Sequence, residues 1–155
     1  MGETIMAIER RPDWPERLIE YLQEAAAKPF VWGQHDCVLF ALGSAKATTG
    51  VATVDELRGK YKSAVGARRE MRKRYGASNL TEAATAVQKE WEVEEISVLM
   101  AQRGDIVEAD VISAEGDNGP SLGVVDLDGI NALFAGPSGA IRIKITDCRR
   151  AWRIG

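Results

Sequence analysis

Residues 36–48 read Asp-Cys-Val-Leu-Phe-Ala-Leu-Gly-Ser-Ala-Lys-Ala-Thr. Drawn as a helix, this run is apolar on nearly every face, and a helix apolar all round is a buried one. Any fold of this chain must therefore wrap other elements around it. Asp36 is a natural N-cap, and Thr48-Thr49-Gly50 is the stop. The stretch ahead, Pro29-Phe30-Val31-Trp32-Gly33-Gln34-His35, reads as an aromatic-glycine turn. It delivers Cys37 to the first turn of the helix. There the unpaired N–H groups and the positive dipole end favour the thiolate, which is the nucleophilic form. A small buried hydrophobe at a helix start explains the same cysteine equally well.

The remaining periodicities place this helix in a single α+β domain covering residues 1–155. Residues 12–27 predict an amphipathic helix, with Pro12 and Pro15 in its first turn and Trp14, Leu18, Tyr21, Leu22 and Ala25 as its stripe. Thr53 and Glu56 fit a capping box for a short helix to about Tyr61. Residues 64–75 predict another helix, ended by Gly76, and Asn79 with Glu82 caps a further one. From about residue 93 to 154 the pattern changes to a β-meander. Strands are expected at Val93–Val98, Asp105–Ile112, Ser121–Leu127, Ile130–Ala135, Ala140–Ile145 and Ala151–Ile154. Asp128-Gly129 is the strongest hairpin signal, and Ser113–Pro120 reads as a turn-rich loop.

Composition narrows the function classes. The net charge of −3 argues against bulk nucleic-acid binding. Two cysteines, Cys37 and Cys148, make no disulfide framework, and one histidine leaves no Cys/His metal set, so neither metal nor cofactor is expected. No apolar run is long enough for a membrane span, and no Sec-type signal is visible near Met1. A protein made in the cytoplasm is the expectation. Between Arg58 and Arg74 lie eight basic residues, among them Arg68, Arg69, Arg72, Lys73 and Arg74. They read as a solvated helix face or as a docking surface for an acidic protein. No aromatics interleave with them as in a single-strand binder.

Three islands, in this order, resemble the NlpC/P60 (papain-like) cysteine peptidases. They are Phe30-Val31-Trp32-Gly33 with Asp36-Cys37, Arg103-Gly104-Asp105-Ile106-Val107, and Ser121-Leu122-Gly123-Val124-Val125. Leu57-Arg58-Gly59-Lys60-Tyr61 and Ala151-Trp152-Arg153-Ile154 sharpen the likeness. They point to a compact group in phage, prophage and gene-transfer-agent tails (DUF6950-like). The resemblance spans roughly residues 28–154. It implies a papain-like NlpC/P60 fold with the Cys37 helix packed on the C-terminal sheet. It also implies Cys37 as nucleophile, supporting roles for Trp32, Gly33, Asp36 and Asp105, and other tail proteins as partners.

One position departs from the family pattern. Where the active peptidases carry a histidine on the strand, this chain has Ser121, and a hydroxyl does not take a proton from a thiol near neutral pH. The only histidine, His35, stands two residues before Cys37. It serves as base only by curling back. The expectation is a catalytically degenerate tail-tip, hub or tail-assembly protein, assembled in the host cytoplasm and then part of the virion. The alternative is an active endopeptidase cutting peptidoglycan stem peptides, with Cys37 as nucleophile and His35 or another group as base. A papain-like acyltransferase or amidase needs the same base.

Overall fold

The computed structural model describes residues 8–112 and 116–155. The all-round apolar run forms α2 (Cys37–Thr49), with Leu39, Phe40, Ala41, Leu42 and Ala45 buried. Its ends are set locally. Asp36 caps the N-terminus through the Leu39 N–H, and Gly50, at φ +86°, closes the C-terminus. Around it pack α1 (Trp14–Ala26), α3 (Thr53–Leu57), α4 (Ala64–Tyr75), α5 (Leu80–Trp91) and one antiparallel sheet.

The strands are β1 (Glu95–Ile96), β2 (Ile106–Ile112), β3 (Asn118–Val125), β4 (Asn131–Gly136), β5 (Gly139–Lys144) and β6 (Arg150–Trp152). Their order is β1-β6-β2-β3-β4-β5. Strands β2 to β5 are the meander that the sequence predicts. The chain then returns through Ile145–Asp147, a single 3-10 turn, so that β6 pairs with β2 on the far side. The helix-facing side of the sheet carries Ile106, Leu122 and Trp152, which join α2, α4 and α5 in the largest core cluster. The opposite side carries Val107, Ala109 and Ala151, covered by Ile145 and Cys148. A third cluster joins Leu18, Leu22 and Ala25 of α1 to Phe40, Val124 and Leu133.

Several expectations shift. Thr53 caps nothing: it lies inside α3, and its hydroxyl accepts the Trp91 indole N–H at 3.0 Å. The helix stops at Leu57 rather than near Tyr61, because Gly59, at φ +81°, turns the chain. The strand at Val93–Val98 shrinks to Glu95–Ile96, followed by a 3-10 turn at Val98–Met100. Of the Ser113–Pro120 loop, residues 113–115 lie outside the described residues. Asn118, Gly119 and Pro120 extend β3, opposite Ile112, Val111 and Asp110. The proline is tolerated because β4 pairs only from Gly123 onward, so the strand edge bearing the Pro120 nitrogen has no ladder to break.

Candidate functional site

The aromatic-glycine turn and α3's exit loop form one unit beneath Cys37. Val31 and His35 close the turn through reciprocal backbone bonds of 2.9 and 2.8 Å. Gly33 stands at φ +81°, and a Cβ there would lie 1.9 Å from the Tyr61 carbonyl oxygen, so only glycine fits. Its own carbonyl accepts the Gly59 N–H at 2.8 Å. Asp36 is almost fully buried and ties these pieces together. Oδ1 accepts from the Leu39 N–H at 3.0 Å; Oδ2 accepts from the Gly33 N–H at 3.0 Å and from the Tyr61 hydroxyl at 2.7 Å. Asp36 thus does more than cap α2: it holds the turn and Tyr61 in register with the helix head.

Cys37 opens α2 at the wall of a cleft of about 310 Å³. The cleft runs between the head of α2, α4 and the start of α5, with Trp32, Val38, Met71 and Leu80 among its walls. The Leu122 and Val38 N–H groups and the Ser121 hydroxyl are the neighbours that pull the thiol's pKa down. These favour the thiolate. They are outweighed by burial, and then by the neighbouring Asp36 carboxylate, which together push the thiol up to about 11. The helix dipole alone suggests the opposite sign; burial and the adjacent carboxylate outweigh it.

Ser121 is buried on β3 and meets the thiol. The structure therefore brings together Cys37, Asp36, Trp32, Gly33 and Ser121. His35 goes elsewhere: its ring packs edge-on against Phe40, centroids 5.8 Å apart, and Tyr21 stacks on the same phenyl ring. Burial, and then the neighbouring Lys28 charge, lower its pKa. It is not among the groups that set the Cys37 thiol.

Asp105 is a clasp. Fully buried, it accepts from Arg10 Nη2 at 3.1 Å, the Ile154 N–H at 3.0 Å, the Gln102 N–H at 2.9 Å and Arg153 Nε at 3.2 Å. It joins residues near both ends of the chain to the start of β2. The basic segment divides in two. Arg74 pairs with Glu56 at 3.2 Å and Glu70 at 3.8 Å, whereas Arg68, Arg69, Arg72 and Lys73 are exposed on α4.

Two residues escape the sequence reading. Tyr61 appears there only within a motif, and its bond to Asp36 is visible only in three dimensions. Glu108 is a buried carboxylate on β2, bonded to Arg149 at 2.8 Å and to the Thr81 hydroxyl at 3.2 Å. A charged residue in the apolar run Ile106-Val107-Glu108-Ala109 was the available signal. Among the described residues no helix is long and apolar enough to cross a membrane, and both cysteines are free.

Comparison with known proteins adds one finding. A family model described as "Domain of unknown function (DUF6950)" matches residues 9–154. The chain belongs to that family. No curated protein and no solved structure matches it.

Proposed function

We propose that this member of the DUF6950 family is a phage or prophage tail-tip, hub or tail-assembly protein. It uses an NlpC/P60-like papain-type scaffold whose catalytic centre is silent. The observation that carries the reading is the Ser121 hydroxyl facing the Cys37 thiol. A serine there supplies no base, and a thiol pushed up to about 11 is ~1 part in 10,000 thiolate at neutral pH. The scaffold reading rests on motif order and on a cysteine-headed helix packed against β3 of an antiparallel sheet. The tail context rests on the resemblance of the five sequence islands to tail-associated proteins. It implies assembly in the host cytoplasm and a final place in the virion.

A second reading, a cysteine endopeptidase for peptidoglycan stem peptides, draws on the open cleft at the sulfur and the N–H groups of Leu122 and Val38 beside it. Incubation with muropeptides separates the two: the silent reading expects no release that depends on Cys37, and release abolished by Cys37→Ala overturns it. The tail assignment is tested by deleting the gene from the phage or prophage that carries it. Defective or non-infectious particles are expected. Particles of normal morphology and infectivity overturn it.

A further inference from the structure

Of the 13 arginines in the chain, eight have a carboxylate of a described residue within 4 Å: Arg10, Arg17, Arg58, Arg74, Arg142, Arg149, Arg150 and Arg153. Arg103 lies over the Trp14 ring instead. Among the described residues, Arg68, Arg69 and Arg72 have no such partner, and they line one groove with the exposed Val65. The spacing explains the grouping: residues three, four and seven beyond Val65 share its face of α4. Glu56 and Glu70 are both engaged by Arg74. In a chain with a net charge of −3, this leaves a concentrated positive field on one helix face.

The groove and the Cys37 cleft adjoin at Arg68, which lines both. The cleft offers apolar walls from Trp32, Val38, Met71, Leu80 and Pro120. Its volume of about 310 Å³ accepts a side chain or two, not a folded domain. Charged fork and apolar hollow thus lie side by side.

We infer that cleft and groove form one docking surface for an extended acidic segment of a partner protein, carboxylates on Arg68, Arg69 and Arg72 and an apolar side chain in the cleft. Arginine forks match carboxylates bidentately, and the exposed Val65 and the cleft walls match apolar residues between them. A nucleic acid fits less well, since the aromatics of this surface, Trp32 and Tyr61, lie in the cleft and none lines the α4 groove beside the arginines to stack a base. This inference deepens the reading above, in which the site binds rather than cuts.

The test is fluorescence anisotropy with a labelled peptide of alternating Glu/Asp and Leu. Its Gln/Asn counterpart and a single-stranded oligonucleotide of equal charge serve as comparison probes. The acidic peptide is expected to bind on the order of micromolar, and more weakly as salt rises. R68Q/R69Q/R72Q should weaken it about tenfold or more, while R11Q, at another arginine with no carboxylate partner among the described residues, leaves it unchanged. The triple variant removes exposed groups without ion-pair partners, so an unchanged melting curve is expected to accompany the loss. Bound peptide should also slow alkylation of Cys37 at pH 9 relative to Cys148. The inference is overturned by absent binding, by equal binding of the neutral peptide, by tighter binding of the oligonucleotide, by an unaffected triple variant, or by binding that leaves Cys37 unprotected. Cleavage of the bound peptide that depends on Cys37 sinks the silent reading instead and leaves the docking surface standing.

Discussion

The Tyr61 hydroxyl donates to Asp36 Oδ2 across 2.7 Å, joining residues 25 positions apart in the buried floor beneath the Cys37 helix. The bond couples α3's exit loop to the head of α2, and through it the wall of the cleft. Its acceptor is a buried carboxylate, for which a lost donor is expensive. Tyr61→Phe is therefore expected to lower unfolding free energy by about 1.5–3 kcal/mol, measured by urea denaturation. A change below 0.5 kcal/mol would mean that the carboxylate finds another donor.

Gly33 and Gly59 share the same φ of +81° but not the same surroundings. A Cβ at Gly59 meets open space, so Gly59→Ala is expected to cost about 1–2 kcal/mol, the left-handed penalty alone. At Gly33 the added carbon collides with the Tyr61 carbonyl. Gly33→Ala adds forced movement of backbone to that penalty and is expected to cost about 3 kcal/mol or more. Equal melting temperatures for the two variants would remove the steric argument.

Much of this architecture is legible in the chain because its signals are local. Asp36, Gly50, Gly76 and Asn79 bound α2, α4 and α5 within a residue of the structure, each acting through bonds to its own helix. The meander follows from alternation and from Asp128-Gly129, where Asp128 accepts the Ile130 and Asn131 N–H groups. What is not legible is non-local. Thr53 looks like a cap until Trp91 arrives from 38 residues away. The return of β6 beside β2 is a choice of sheet edge that no short pattern encodes. The site divides in the same way. Cys37 at a helix head is readable, and so is Ser121 by likeness. The sign of the thiol's shift depends on how burial and the Asp36 carboxylate weigh against the groups that favour the thiolate, and the sequence does not display that balance.

Both thiols shift upward from 9.0 to about 11 through burial. A folded pKa above the unfolded one means that the native state holds its proton longer. The contribution is complete below about pH 9 and is lost as pH rises toward 11. Tyr75, pushed up to about 12, acts in the same direction at higher pH. Unfolding free energy is thus expected to fall between pH 9 and 10.5, at a slope approaching about 1.4 kcal/mol per pH unit per thiol. Urea titrations across that range check it, and Cys37→Ala and Cys148→Ala should each remove part of the slope. A flat profile above pH 9 contradicts the shift.

Ser121→His places an imidazole where the hydroxyl now meets the sulfur. An imidazolium beside a thiol stabilises the thiolate, opposing the Asp36 carboxylate. Iodoacetamide alkylation of Cys37 at pH 7.5 is expected to accelerate about tenfold or more over the parent protein, with Cys148 as internal reference. An unchanged rate would show that Ser121 is not in line with the thiol.

Asp105 is the fully buried acceptor for two arginines and two backbone N–H groups. Asp105→Asn keeps the size but removes the charge. It leaves Arg10, whose side chain is only 13% exposed, without its carboxylate. Removing one member of a buried pair is costly because the other remains desolvated. The expected loss is about 3–5 kcal/mol by urea denaturation. The effect should appear in stability and leave Cys37 alkylation in the folded protein unchanged, because the Asp105 contacts run to the chain ends rather than to the cleft. A variant that folds normally but alters Cys37 reactivity would move Asp105 from the clasp to the site.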